Sequence, residues 1–63
     1  MHADKQLTQD ERREVFLALV EAQDRGMDVP ESRRATAERF RVSEKQVREI
    51  EKEGLDNRWP PLQ

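Results

Sequence analysis

The sequence predicts an all-α fold: a small three-helix bundle with a helix-turn-helix, followed by a C-terminal tail that contains Trp59 and two prolines. Two capping signatures, Thr8 to Glu11 and Ser43 to Gln46, mark places where helices begin. Apolar residues recur at helical spacing after each signature, as the buried face of a helix requires. A chain of 63 residues has room for one such domain, and a domain of this size buries only about 60% of its unfolded surface.

Composition narrows the class of protein. Hydrophobic residues make up 33% of the chain and charged residues 41%. Both signs of charge are interspersed, and together with the apolar period this favours a folded helical domain over disorder. The absence of cysteine excludes disulfides and thiolate metal ligands. No apolar run reaches membrane-spanning length and no signal-peptide pattern is present, so we expect a cytoplasmic protein that does not associate with membranes.

The first helix is predicted to follow Thr8 and to continue to Arg25. Glu11 stands three residues after Thr8, which completes a capping box, and the acidic first turn suits the positive end of the helix dipole. Gly26 is predicted to adopt the left-handed backbone conformation that commonly ends a helix. The helix therefore has a local signal at each end.

The apolar side of the first helix is wider than one buried face needs. A stripe at helical spacing is predicted to form the core, made of Val15, Phe16, Leu19, Val20 and Ala22. Leu17 and Ala18 fall at the edge of this stripe or outside it. Two explanations are open: the C-terminal tail covers them, or they contact a partner subunit.

The second helix has two candidate starts. Ser32 can cap it, with Ala35 in the third position after the cap, or Pro30 occupies its first turn and the helix begins earlier. Val29 is expected to turn inward under either alternative. Ala37 and Phe40 are predicted to face the core near the end of this helix.

The third helix is predicted over residues 44–53. Ser43 caps it, Gln46 completes a second capping box, and Val47 continues the core face together with Ile50. Gly54 is predicted to end the helix. Leu55 would then pack back on Ile50, as in a Schellman cap.

The predicted organisation is a flexible leader over residues 1–7, a helix-turn-helix domain over 8–55 and an extended tail over 56–63. In the tail, Trp59 and Leu62 are predicted to fold back on the first helix and complete a small core. The alternative is that Trp59 is the aromatic anchor of a segment that docks a partner protein.

Positive charge is concentrated in the region around the turn. The net charge is −2, but residues 29–50 carry six basic and four acidic side chains, whereas residues 1–28 carry four basic and seven acidic ones. A basic excess on one segment is the electrostatic signature of contact with nucleic-acid phosphates. The excess is small, so it would not strongly steer DNA toward the protein.

Residues 33–55 resemble the C-terminal helix-turn-helix of bacterial sigma factors. The pattern is carried by a small Ala37, Val42-Ser43 at the turn, Val47-Arg48-Glu49-Ile50 in the third helix, and Leu55 after it. The chain departs from the family at Arg41, where glycine is usual, and at Glu44, where a basic residue is usual. Arg41 would take a positive φ, which costs a non-glycine residue about 1 kcal/mol.

The resemblance implies DNA binding in bacterial transcription regulation, with helix 44–53 in the major groove, which is wide enough to admit it. Lys45, Gln46 and Arg48 map to promoter-contacting positions. From the exposed face of this helix, the candidate base contacts are Glu44, Lys45, Gln46, Arg48 and Glu49. The candidate phosphate contacts are Arg33, Arg34, Thr36 and Arg41. The expected partner is double-stranded DNA.

The alternative function is a helix-turn-helix that docks a protein partner or a second copy of the chain and binds no DNA. The acidic net charge and the carboxylates of Glu44 and Glu49 favour it. Its candidate docking residues are Leu17, Trp59 and Leu62. Catalysis is not expected, because the chain has no cysteine, no glycine-rich phosphate loop, no metal-ligand spacing and a single histidine, His2. No cofactor, metal or small-molecule substrate is therefore expected.

Overall fold

The computed structural model describes residues 5–62 and contains three α-helices in that range. The helices are α1 (Gln9–Asp24), α2 (Val29–Phe40) and α3 (Glu44–Asn57). Each helix contacts both of the others. The predicted all-α three-helix bundle is confirmed, while His2 lies outside the described residues.

α1 has both of the end signals that the sequence predicts. Thr8 Oγ accepts a hydrogen bond from Glu11 N at 3.1 Å, and the Glu11 carboxylate accepts one from Thr8 N at 2.8 Å. Two hydrogen bonds lower the pKa of Glu11 below its ordinary value of 4.5: the larger effect comes from the Thr8 backbone N–H and the smaller from the Thr8 side chain. At the other end, Gly26 has a φ of 97°, a conformation that glycine adopts without a steric cost.

α2 begins earlier than a cap at Ser32 would place it. Asp28 is the N-cap, and its carboxylate accepts a hydrogen bond from Glu31 N at 2.8 Å. Pro30 stands in the first turn, where its missing N–H costs no helical hydrogen bond. The Ser32 cap is therefore wrong and the earlier start is correct, because Asp28 offers an equally good capping oxygen upstream.

Ser32 instead ties α2 to α1 from within the first turn. Its buried hydroxyl donates to Val29 O at 2.8 Å and accepts from Gln23 Nε2 of α1 at 3.1 Å. Val29 itself is 43% exposed, so the expectation that it turns inward is wrong. As the first residue of the helix, Val29 supplies a carbonyl to this bond while its side chain faces away from the core.

The turn between α2 and α3 comprises residues 41–43. Arg41 has a φ of 56° and a ψ of 47°, so the left-handed conformation expected at this site is present on a non-glycine residue. Val42 is fully buried, and its N–H donates to Ala37 O at 3.0 Å. The left-handed conformation of Arg41 thus reverses the chain direction and directs the side chain of Val42 into the core.

Ser43 caps α3 as predicted, since its Oγ accepts a hydrogen bond from Gln46 N at 3.0 Å. The predicted capping box is wrong in its second half, because the Gln46 amide bonds Lys5 instead. The side chain of Gln46 is directed to the segment before α1. Its Oε1 accepts from Lys5 N at 2.9 Å, and its Nε2 donates to Lys5 O. Leu7 packs against the core, and its carbonyl accepts from Arg12 Nη1 at 2.8 Å. Residues 5–7 of the predicted leader therefore contact the bundle.

α3 does not end at Gly54. The helix continues to Asn57 and ends at Arg58, whose φ is 51°. Leu55 lies within the helix and is 54% exposed, so the predicted Schellman cap at Gly54 is wrong. The glycine is helical and buried, and its function is to leave space for a neighbouring ring.

The core lies where the three helices meet and is closed by the tail. Phe16 of α1 is fully buried at its centre, and Trp59 is 3% exposed. The two rings pack edge to face, with centroids 6.2 Å apart and an interplanar angle of 81°, an arrangement that aromatic pairs prefer. The other buried apolar residues are Val15, Leu19, Ala37, Val42, Val47 and Ile50. The placement of Trp59 against α1 is the one predicted.

Candidate functional site

A concave surface lies between α2 and α3 beside the turn that joins them. It encloses a volume of about 390 Å³ and is open to solvent. We call it the α2–α3 groove. Its lining residues are Arg34, Ala37, Glu38, Val42, Ser43, Glu44, Lys45 and Arg48. Three basic side chains and two acidic ones thus share one recess.

The basic side chains of the groove come from both helices. Arg34 lies on the outer side of α2, and Lys45 and Arg48 lie one turn apart on α3. All three are exposed, as is Arg41 in the turn. Their positions follow from helical periodicity: Val47 and Ile50 bury the opposite side of α3 and so fix which residues face solvent.

Four of the five predicted base contacts share the exposed side of α3: Glu44, Lys45, Arg48 and Glu49. Gln46 does not belong to this set. It is 9% exposed, and both ends of its amide bond the backbone of Lys5. The prediction that Gln46 contacts bases is therefore corrected, because its side chain is occupied in holding the N-terminal segment on α3.

Of the predicted phosphate contacts, Arg34 and Arg41 are exposed beside the groove. Thr36 is 3% exposed and lies on the side of α2 that faces α1, so it cannot reach a phosphate. Arg33 is half-buried, and its Nε and Nη2 both donate to Glu51 Oε1, at 3.0 and 2.8 Å. Arg33 and Thr36 are therefore structural, which corrects both predictions.

Two ion pairs turn acidic residues of α3 away from the groove. Glu51 is paired with Arg33 of α2, and Glu53 is paired with Arg12 of α1 through oxygen–nitrogen distances of 2.8 and 3.2 Å. These carboxylates hold α3 against its neighbours and are compensated locally. The potential at the groove is consequently set by the exposed side chains that line it.

Two further exposed cations, Lys52 and Lys5, are not among the residues predicted from the sequence. Lys52 is exposed one turn beyond Arg48, and the spacing of Lys45, Arg48 and Lys52 is that of one helix face, a signal the sequence already carries. Lys5 Nζ donates to Phe40 O at 3.4 Å, which brings a cation to the carboxyl end of α2. Lys5 is positioned by tertiary contacts with Gln46 and Phe40, so helical periodicity could not have found it.

The predicted docking residues are not equivalent in the structure. Leu17 is 40% exposed on α1 and remains available to a partner. Trp59 is buried against Phe16, and the guanidinium of Arg13 lies 5.7 Å from the centroid of its ring. Leu62 is partly buried against the core. Trp59 is therefore a core residue, and the alternative that it anchors a partner does not fit its burial.

No protein-family model, no curated protein and no solved structure matches the chain. Within residues 5–62, none of the helices has the length and apolar content needed to cross a bilayer. The same part of the chain contains no group of three or more acidic or histidine side chains placed to hold a metal ion.

Proposed function

We propose that this chain is a DNA-binding helix-turn-helix module of the bacterial transcription-regulator type, with α3 entering the major groove of double-stranded DNA. The observation that carries the proposal is the α2–α3 groove. Its exposed cations, Arg34, Lys45 and Arg48, come from both helices of the unit. The resemblance of residues 33–55 to the sigma-factor helix-turn-helix also supports the placement of α3 in the major groove.

The side chains on the exposed side of α3 contact the bases. Arg48 has the planar fork that pairs with two acceptors of guanine, and Lys45 can donate to the same acceptors. Glu44 can accept a hydrogen bond from the amino group of cytosine. Glu49 completes this side, while Gln46 takes no part because its amide bonds Lys5.

Phosphate contacts fall to the residues that flank the recess. Arg34 on α2 and Arg41 in the turn position the module without reading sequence. Lys52 extends the basic side of α3 by one turn. These three cations would fix the register of α3 in the groove.

The carboxylates on α3 make affinity depend on sequence. Glu44 and Glu49 are repelled by phosphates, which weakens non-specific binding. A DNA sequence that places a cytosine amino group opposite Glu44 regains part of the affinity lost to this repulsion. We therefore expect modest affinity for mixed DNA and a larger difference between matched and unmatched sites than an all-basic helix would give.

The test is the binding of the full chain to a labelled mixed-sequence duplex, measured by fluorescence anisotropy at several salt concentrations. Affinity should fall linearly in a log–log plot, with a slope of about −0.9 for each phosphate contact. Arg48→Ala should weaken binding at least about tenfold, as loss of a bidentate base contact or of a phosphate contact would. Absence of binding at about 50 mM salt, where such contacts are strong, would overturn the proposal.

A charge-matched control separates local contact from net charge. Arg58→Asn removes a cation at the far end of α3 from the turn, and asparagine tolerates the left-handed backbone of that position. This variant should bind DNA as the parent chain does. Equal losses for Arg48→Ala and Arg58→Asn would mean that the cations act only through net charge.

The second candidate is a protein-docking helix-turn-helix that binds no DNA. The exposure of Leu17, at 40%, favours it, together with the net charge of −2. The salt titration separates the two candidates, because a docking module would show no DNA affinity at any salt concentration.

A further inference from the structure

A second surface lies on the opposite side of α2, where it meets α1. Two adjoining recesses there have volumes of about 180 and 140 Å³ and share Ala18 and Arg39. We call them together the α1–α2 groove. Glu14, Leu17 and Glu21 also line the first recess, and Ala22, Arg25 and Ala35 also line the second. None of these residues lines the α2–α3 groove.

The floor of the α1–α2 groove suits close approach of another helix. Ala18, Ala22 and Ala35 have side chains that end at the β-carbon, so a neighbouring backbone can come near. Leu17 stands at the edge of the recess and is 40% exposed. A large apolar side chain beside a recess lined by alanines is the arrangement needed for knobs-into-holes packing between two helices.

The charges around this groove are balanced: Glu14, Glu21, Arg25 and Arg39 provide two carboxylates and two guanidinium groups. Arg25, the residue that follows α1, stands eleven positions after Glu14, which is about three helical turns. Both line the groove, so they place opposite charges at its two ends along the direction of α1. Such a surface is electrically complementary to a copy of itself turned end to end.

We propose that the α1–α2 groove binds a second copy of this chain, with the two α1 helices antiparallel about a two-fold axis. Glu14 of each copy then faces Arg25 of the other, so that both ends of the contact are neutralised at once. The same register places Leu17 opposite Ala22 of the second copy, where the small side chain leaves room for it. A parallel arrangement would bring Glu14 against its own equivalent in the second copy, and like charges that face each other across an interface repel.

The dimer leaves the α2–α3 groove of each copy uncovered, because the two surfaces share no lining residue. Self-association is therefore independent of the proposed DNA function. A two-fold dimer would present two such grooves, as palindromic sites require of dimeric DNA readers. Measuring oligomeric state without DNA keeps the two proposals distinguishable.

The test is sedimentation equilibrium of the full chain over a wide range of concentration. The parent chain should shift from monomer to dimer as concentration rises. Leu17→Glu should remain monomeric, while its helical circular dichroism stays that of the parent. Leu55→Glu is the matched control, since Leu55 is 54% exposed on α3 outside the groove, and this variant should dimerise normally.

Charge reversal tests the antiparallel register. Glu14→Arg and Arg25→Glu each place like charges at both ends of the contact, and each should weaken the dimer at least about fivefold. The double variant restores opposite charges and should recover the parent dissociation constant. A parent chain that is monomeric at every concentration would overturn the proposal, as would a double variant no better than either single one.

Discussion

The ring of Phe16 lies against the backbone of Gly54, so closely that a β-carbon at Gly54 would stand 2.3 Å from Phe16 Cδ1. Two further ring atoms would lie at 2.4 and 2.6 Å. The phenyl group thus occupies the volume that any side chain at this position needs. The glycine sets the distance between α1 and α3.

Gly54→Ala should therefore destabilise the domain, although alanine is the better helix former. Alanine gains about 1 kcal/mol of helix propensity over glycine, but overpacking against a buried ring costs about 1–3 kcal/mol. With three ring atoms in overlap, we expect a net loss of about 1–2 kcal/mol in the free energy of unfolding. Urea denaturation followed by circular dichroism measures it.

The ring itself provides the control for this prediction. In a Phe16→Leu background the overlap is relieved, so Gly54→Ala should cost less there than in the parent chain. Equal costs in the two backgrounds would mean that Phe16 is not the group that excludes a side chain at Gly54.

Arg41→Gly should stabilise the domain and weaken DNA binding at the same time. A left-handed non-glycine residue costs about 1–2 kcal/mol, part of which is offset by the greater flexibility of glycine in the unfolded chain. The free energy of unfolding should rise by about 0.5–1 kcal/mol. Under the proposed function, the salt slope should lose about one phosphate contact.

Arg41→Asn separates these two effects, because asparagine tolerates the left-handed region but carries no charge. It should show the same loss of salt slope with a smaller gain in stability. If Arg41→Gly leaves DNA binding unchanged, Arg41 does not contact phosphates.

Local signals were sufficient to predict the starts of α1 and α3. Thr8 and Ser43 accept the backbone hydrogen bonds that the capping pattern predicts, because both partners lie within one turn. Ser32 and Gly54 each resemble a helix boundary in the local sequence, but neither is one in the structure. Their actual functions depend on Gln23 and Phe16 of another helix, which no window of sequence contains.

The sequence predicts which side of α3 is exposed, but it does not show which of the candidate side chains are engaged elsewhere in the fold. The exposed side of α3 follows from the period of its buried residues, so the sequence was sufficient to predict that Lys45 and Arg48 are exposed. Arg33 and Arg34 look alike in the sequence, and only the position of Glu51 shows that one of them is held in an ion pair. The helical period alone predicts a base contact for Gln46, since Lys5, which binds its amide, is distant in sequence.

The capping box predicts a specific dependence of stability on pH. The Thr8 N–H and hydroxyl lower the pKa of Glu11 in the folded chain below its ordinary value of 4.5. As pH falls, the unfolded chain is protonated at Glu11 before the folded one. The stabilisation is therefore complete above pH 4.5 and is lost as pH falls through the lower, folded pKa.

Glu11→Gln isolates this contribution. Its free energy of unfolding should lie below that of the parent at neutral pH, and the difference should shrink as pH falls below 4.5. Urea denaturation of both chains across this range is the measurement. A difference that stays constant with pH would show that the ionised carboxylate of Glu11 does not contribute to the capping box of α1.

Trp59→Ala should unfold much of the domain and leave no surface function to assay. Large-to-small changes of buried aromatic residues cost about 3–5 kcal/mol, a large part of what a small domain has. Circular dichroism should show a marked loss of helicity at room temperature. Leu55→Ala is the control, since Leu55 is exposed and its loss should be tolerated. Retained helicity in Trp59→Ala would contradict the assignment of Trp59 to the core.

Arg33 and Arg34 are adjacent in sequence, and their alanine variants should separate folding from DNA binding. Arg33→Ala removes the half-buried pair with Glu51, so stability should fall by about 0.5–1 kcal/mol while the salt slope of DNA binding is unchanged. Arg34→Ala removes an exposed groove cation, so stability should be unchanged while the slope falls by about 1. Urea denaturation and the anisotropy titration together measure both quantities. The reverse pattern would mean that the phosphate-facing side of α2 is the one carrying Arg33.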